Sequence, residues 1–245
     1  MTTVRQVKGL TAPLLARNPD LVDAGKNTLW LTPINHVGRL IFIDRTSNPD
    51  SCAISWHVVG FFMPGTPSWF SLGRCGDRIG RSKHFPGGWG WRWSDPTIYE
   101  DFIDRVEADA LPLLRSLDTT RRCLEFQRGD PQRSGYLDHY WHLGAFLALG
   151  EIERAQELFA PLRAHRVWEQ PAETLPEQRR YERLRALDQP LRSGNRAALC
   201  ALLAQWEAEN LVGSPLEPYW QRNAFPLEGV DQGLLGFRIS AWTRL

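Results

Sequence analysis

The sequence lacks the features that mark membrane, secreted and nucleic-acid-binding proteins. No run of 18 apolar residues is long enough to span a bilayer, and residues 1–10 lack the apolar core of a signal peptide. Lys and Arg number 29 against 28 Asp and Glu, a net charge of +1 that gives no long-range attraction to nucleic acid or to an anionic membrane. We therefore expect a cytoplasmic protein without a membrane or nucleic-acid partner.

Motifs for cofactors and for catalysis are also missing. The four cysteines are widely separated and form no C-x-x-C pair, so we expect free thiols in a reducing compartment and no zinc site. There is no G-x-S-x-G motif, and the Gly-rich stretch at 87–90 lacks the Lys-Ser/Thr of a phosphate-binding loop. We expect no cofactor and assign no catalytic residue.

The N-terminal half shows a helix followed by strands. Apolar residues spaced by three and four predict a helix over residues 4–16, which Asn18 and Pro19 would end. Three β-rich segments follow, at residues 27–32, 38–44 and 52–63, and a turn-like cluster at 45–50 separates the last two. This pattern predicts an antiparallel pair joined by that turn.

The rest of the chain changes character twice. Residues 64–96 are rich in Gly, Pro and aromatic side chains, and only 90–94 alternate like a strand end. A helical stripe then runs to about residue 116, followed by a polar linker at 118–134. Two further helix pairs are predicted, 136–149 with 152–162 and 181–191 with 196–209, with hinges at Gly150 and Gly194. The apolar tail at 234–242 predicts a strand or an extension that packs back on the body.

Together these patterns predict an α+β protein with an N-terminal antiparallel sheet flanked by helices and a C-terminal bundle of helical hairpins. We place the domain boundary at residue 120, which gives an α/β domain over 1–120 and a helical-hairpin domain over 121–245. Whether the two halves share one core is left open by the sequence.

The first half resembles the DUF4304 family, a bacterial domain. The matching order is an N-terminal helix, strands at residues 28–31, 40–46 and 54–62, and the segment Trp91-Arg-Trp-Ser-Asp95 before a long helix. Small bacterial domains of this type resemble immunity proteins of toxin systems. The resemblance implies a protein-binding role, with a toxin or effector as the partner.

The second half resembles a tetratricopeptide-type hairpin in part. His139 and Leu143 occupy places where that repeat has Trp and Gly, and the 44 residues between the two hinge glycines depart from its 34-residue period. We therefore predict helical hairpins and not a repeat array. The matching positions are Phe146, Gly150, Ile152, Ala155 and Phe159.

One cluster could carry chemistry. Asp138, His139 and His142 share a helix face if residues 138–142 are helical, since positions three and four apart are neighbours there. Two such side chains can begin a metal site, but a catalytic zinc needs a third protein ligand that the sequence does not place. The alternative is a structural histidine hydrogen-bonded by Asp138. An acid–base or metal-dependent enzyme at this cluster is the second function we consider.

A binding surface is the better supported hypothesis, and it lies in the Gly-rich stretch. Arginine and tryptophan are the residues that dominate binding energy at protein interfaces, and both are concentrated here. If 90–94 is a strand, Trp91 and Trp93 share one face and belong to the core, which leaves Trp89 and the basic residues exposed. The same residue types could also hold single-stranded nucleic acid by stacking, although the net charge disfavours it. The predicted binding residues are Arg74, Arg78, Arg81, Lys83, Trp89 and Arg92.

An acidic helix follows this basic stretch directly. Its carboxylates are expected to form a solvated face, and a salt bridge from this helix to the basic stretch would neutralise part of the binding surface. The acidic residues are Glu100, Asp101, Asp104, Glu107 and Asp109. We expect a non-enzymatic bacterial protein that binds another protein, as an immunity or accessory factor.

Overall fold

The N-terminal half contains a six-stranded antiparallel sheet, seen in a computed structural model that describes residues 2–63, 74–82, 90–129 and 139–229. Strands β1 to β5 are neighbours in chain order, and β6 pairs with the start of β4. The predicted turn at 45–50 joins β3 to β4. The strands are β1 (Leu21–Asp23), β2 (Thr28–Leu31), β3 (Val37–Arg45), β4 (Ser51–Gly60), β5 (Arg74–Arg78) and β6 (Trp91–Arg92).

Helices of the N-terminal half pack against this sheet. Helix α1 (Val4–Arg17) begins at a capping box made by Thr3 and Gln6 and buries its apolar stripe. Helix α2 (Ile98–Arg105) continues through a π-helical turn into α3 (Leu111–Ser116), and α4 (Thr120–Gly129) follows. Ring contacts fix two of these helices, Phe102 of α2 against Trp91 and Phe126 of α4 against Trp56.

The C-terminal half consists of two helical hairpins, as predicted. Helices α5 (His139–Ala148) and α6 (Ile152–Ala164) form the first, and α7 (Leu175–Arg192) and α8 (Arg196–Leu211) form the second. Gly150 (φ +75°) and Gly194 (φ +62°) occupy the two turns in the left-handed conformation that glycine adopts without strain. The predicted fold class is therefore confirmed.

Two local predictions were wrong. Residues 120–129 form α4 and not a polar linker. The helix was not predicted because it buries few apolar side chains in a strongly polar sequence. Residues 74–78 form β5 inside a stretch that was predicted to be irregular. The strand was not predicted because three of its five residues are charged and one is glycine. The predicted apolar tail at 234–242 lies outside the described residues.

The two halves share one hydrophobic core. Buried residues from α1 through the segment that follows α8 form a single contiguous cluster. Asn210 of α8 donates to the carbonyls of Phe61 and Met63, both at 2.7 Å, just after β4. His36 contacts Glu207 of α8 at 3.0 Å. The division into residues 1–120 and 121–245 thus does not separate two hydrophobic cores.

Candidate functional site

The predicted binding residues do not all lie in one environment. Arg78, Arg81 and Arg92 are described with their side chains, whereas only the backbone of Arg74 is described, at the start of β5. Lys83 and Trp89 lie outside the described residues. The site must therefore be judged on three arginines and the strands that carry them.

Arg81 is enclosed in an internal ionic cluster. Its Nε donates to Asp101 at 2.8 Å and its Nη2 to the Thr97 hydroxyl at 3.0 Å, while Nη1 pairs with Asp95. The Arg81 side chain is only 7% exposed. This contact joins the segment after β5 to the start of α2, so Arg81 is not part of an open surface.

The same cluster revises the expectation for the acidic helix. Asp101 is buried against Arg81, so this carboxylate does not belong to a solvated face, although Glu100, Asp104 and Asp109 are exposed. The hydrogen bond from Arg81 lowers the pKa of Asp95 to about 2, assisted by hydrogen bonds from Thr97. The predicted salt bridge between basic stretch and acidic helix is thus present, and it removes one cation from the surface.

Arg78 and Arg92 lie on the same side of the sheet, where its end around Ser51 and Ser55 is open to solvent. Arg78 lies opposite Ser55 of β4 and Arg92 lies opposite Ser51 of the same strand. Because Ser51 and Ser55 are four residues apart, both arginines point to the same side of the sheet, about 13 Å apart along it. Both side chains are exposed. Neither guanidinium makes a salt bridge or side-chain hydrogen bond with any described residue.

We call this surface the basic sheet face. Half-buried side chains of β4 lie beside the two arginines. Asp44 of β3 lies opposite Ala53 and carries a negative charge on the side of β4 away from the arginines. The face therefore has positive charge along one rim and negative charge along the other. Its residues are Asp44, Ser51, Ala53, Ser55, Arg78 and Arg92.

The two tryptophans next to Arg92 are packed differently. Trp91 is fully buried and its indole N–H donates to the Ile79 carbonyl at 2.9 Å. Trp93 is half-buried, packs against the core and donates to the Thr2 hydroxyl at 3.2 Å. The prediction that these rings belong to the core is confirmed for Trp91, whereas Trp93 is only partly buried at the edge of the core. The exposed part of the predicted surface among the described residues is thus arginine and not tryptophan.

A hydrogen-bonded Ser–His pair borders the basic sheet face, and our sequence analysis did not identify it. Ser55 Oγ and His57 Nε2 are 2.8 Å apart on the same side of β4. Gly76 lies opposite His57, and a Cβ atom at Gly76 would come within 2.1 Å of His57 Nδ1. The imidazole therefore lies over Gly76 of β5, with its Nε2 at Ser55. The alternation Ser55-x-His57 indicates that these two side chains share one face. The sequence did not predict β5, so it could not place Arg78 beside them.

The histidine cluster on α5 is only partly visible. Asp138 and the His139 side chain lie outside the described residues. His142 is half-buried and stacks with Phe146 at a ring-centroid distance of 6.2 Å, with Trp141 packed edge-on at 5.7 Å. The described parts of the chain hold no group of three His, Cys, Asp or Glu side chains arranged for a metal ion. An enzyme at this cluster stays a prediction.

The structure also bears on the membrane expectation and on the thiols. None of the helices in the described ranges has the length and apolar content needed to cross a bilayer. All four cysteines are free, as predicted, and burial raises the pKa of both Cys52 and Cys123 to about 12.

A comparison with known protein families, curated proteins and solved structures found no match to this chain. The resemblance of the first half to DUF4304 therefore stays a prediction.

Proposed function

We propose that this chain is a protein-binding factor that uses its basic sheet face to hold an acidic surface of its partner. One observation carries the proposal. Two exposed arginines, Arg78 of β5 and Arg92 of β6, project to the same side of the sheet without an ion pair to any described residue. Both strands pair with β4. Arginine is a residue type that dominates binding energy at protein interfaces.

The contrast with other arginines supports this assignment. Arg105 pairs with Asp109 at 2.6 Å and Arg115 with Asp20 at 2.9 Å, so these charges are already compensated within the chain. Arg78 and Arg92 are held on paired strands, so little backbone entropy is lost when a partner orders their side chains. Their guanidinium groups are available for bidentate contacts with carboxylates.

The charge pattern favours a protein over a nucleic acid. Asp44 would repel a phosphate backbone laid across the face, and the net charge of +1 supplies no general attraction to one. A folded protein can present an acidic group to the arginine rim and a basic group to Asp44. Such opposite charges on the two rims would fix the orientation of the partner.

The resemblance to DUF4304 motivates a narrower proposal, in which the partner is a bacterial toxin or effector and the chain is its immunity or accessory factor. A toxin gene beside the gene for this chain, whose product is neutralised when both are expressed, supports that role. A captured partner with no toxicity would exclude it and leave the binding function intact.

The experiment is affinity capture from the organism that encodes the chain. Wild type is compared with the double variant Arg78→Gln/Arg92→Gln and with the control Arg122→Gln/Arg166→Gln, which removes two exposed arginine charges elsewhere. We expect one protein at equal stoichiometry with wild type and control, and binding weakened about thirtyfold or more in the double variant. Equal capture by all three proteins, or no capture, contradicts the proposal.

A further inference from the structure

We infer that Arg78 and Ser55, positioned by His57 and Gly76, form an oxyanion site that binds the anchoring carboxylate or phosphate of the partner. This inference rests on the proposed function and deepens it, because it names the group that is recognised. It concerns one end of the basic sheet face, around Ser55, whereas Arg92 lies four residues away along β4.

Three side chains meet at this end of the face. Ser55 and Arg78 are directly opposite each other on antiparallel strands, a relation that puts Cβ atoms about 5 Å apart. Ser55 is half-buried and its hydroxyl contacts His57 Nε2 at 2.8 Å. An oxyanion placed above Ser55 can accept from the Arg78 guanidinium and from a hydroxyl at the same time.

Gly76 makes this arrangement possible. The His57 ring lies so close to Gly76 that any side chain at residue 76 would overlap the imidazole. The ring therefore lies over β5 and its Nε2 reaches back to Ser55. When Nε2 carries the proton, His57 donates to Ser55 Oγ, and the Ser55 hydroxyl hydrogen is then available to a ligand.

This geometry separates the roles of the residues. Arg78 and Ser55 would contact the anion, and His57 would act as a positioning residue by fixing the direction of the Ser55 hydroxyl. Arg92 would contribute to partner binding, so the matched control for the anion is Arg122, an exposed arginine of α4 outside this face.

The test is a titration of the purified full chain with sodium phosphate and, separately, with sodium acetate at constant ionic strength. Nuclear magnetic resonance would follow the Arg78 side-chain Nε–H and the His57 ring nitrogens. We expect saturable shifts at both groups with at least one anion, and a His57 ring protonated at Nε2 in the bound state. Sodium chloride at the same ionic strength should produce no saturable shift.

Variants assign the contacts. Arg78→Gln should raise the dissociation constant about tenfold or more, as expected for a lost charge-assisted hydrogen bond, and Ser55→Ala should raise it about fivefold. Arg122→Gln, which removes an exposed arginine charge outside this face, should leave it unchanged. The far-ultraviolet circular dichroism of each variant checks that it is folded.

Absence of saturable shifts, or equal affinity in Arg78→Gln, overturns the inference. A bound His57 with its proton on Nδ1 also overturns the positioning role. These outcomes are independent of the capture experiment. Anion binding without a captured protein leaves this site standing and removes the proposed function, whereas a captured partner without anion binding removes this site alone.

Discussion

At the residue scale, the amide of Gln127 on α4 is buried with both of its polar atoms unsatisfied by described residues. Gln127 is 3% exposed, and neither its Oε1 nor its Nε2 has a hydrogen-bond partner. A buried amide without partners costs stability, since both atoms lose water. We expect Gln127→Met, which keeps a similar length, to raise the free energy of unfolding by about 1 kcal/mol.

Urea unfolding measures this effect, and Gln156 provides the control. Gln156 Nε2 donates to the Leu191 carbonyl at 2.8 Å, so Gln156→Met loses a hydrogen bond and should lower stability. Destabilisation by Gln127→Met as large as that by Gln156→Met would contradict this account of Gln127.

The buried thiols predict an alkaline loss of stability. Burial raises the pKa of Cys52 and Cys123 from 9.0 to about 12 in the folded chain. Both thiols stay protonated there while the unfolded chain ionises, so the stability present below pH 9 falls as pH rises from 9 to 12. The slope approaches about 1.4 kcal/mol per pH unit for each thiol.

Urea unfolding between pH 8 and 11 tests this. Cys52→Ala and Cys123→Ala should each show a shallower decline than wild type, whatever their stability at pH 8. Cys200→Ala should change the slope less, because Cys200 is less deeply buried. Parallel declines in wild type and both buried-site variants would be inconsistent with buried neutral thiols.

At the scale of elements, the contact between the segment after β5 and helix α2 depends on Arg81. Removing Arg81 leaves Asp101, 5% exposed, as a buried charge without its cation. We expect Arg81→Ala to lower the free energy of unfolding by about 3 kcal/mol. Arg78→Ala, an exposed neighbour, should change it by less than about 0.5 kcal/mol.

Thermal or urea unfolding of the two variants separates structural from binding arginines. Arg81→Ala should lose stability, and Arg78→Ala should keep stability while losing the partner. An Arg81→Ala protein as stable as wild type would show that the cluster is not a structural contact.

Elements with a clear apolar period were predictable from the sequence. Helix α1 and the β3–β4 pair show such a period, and Gly150 marks a hinge because a left-handed turn favours glycine. Strand β5 was not predictable, because an edge strand with Arg, Asp and Gly has no apolar alternation. Which arginines are exposed depends on β5. The sequence analysis predicted that Arg78 and Arg81 share one surface, but the chain turns between them so that only Arg78 stays exposed.

At the scale of the whole molecule, the shared core predicts one unfolding transition. Urea curves from tryptophan fluorescence and from far-ultraviolet circular dichroism should superimpose, since buried residues of both halves form one cluster. Asn210→Ala removes two hydrogen bonds between the halves. It should lower the free energy of unfolding by about 2 kcal/mol, and with it the urea midpoint, without splitting the curve. Two separate transitions in wild type would indicate halves that unfold independently.

The central claim is that a protein partner covers the basic sheet face, and hydrogen–deuterium exchange of the captured complex tests it most directly. The account predicts slower exchange on binding in β4, β5 and β6, around Ser51, Ser55, Arg78 and Arg92, and little change in the hairpins α5–α6 and α7–α8. Protection confined to the helical hairpins, with exchange in β4 to β6 unchanged, would contradict it.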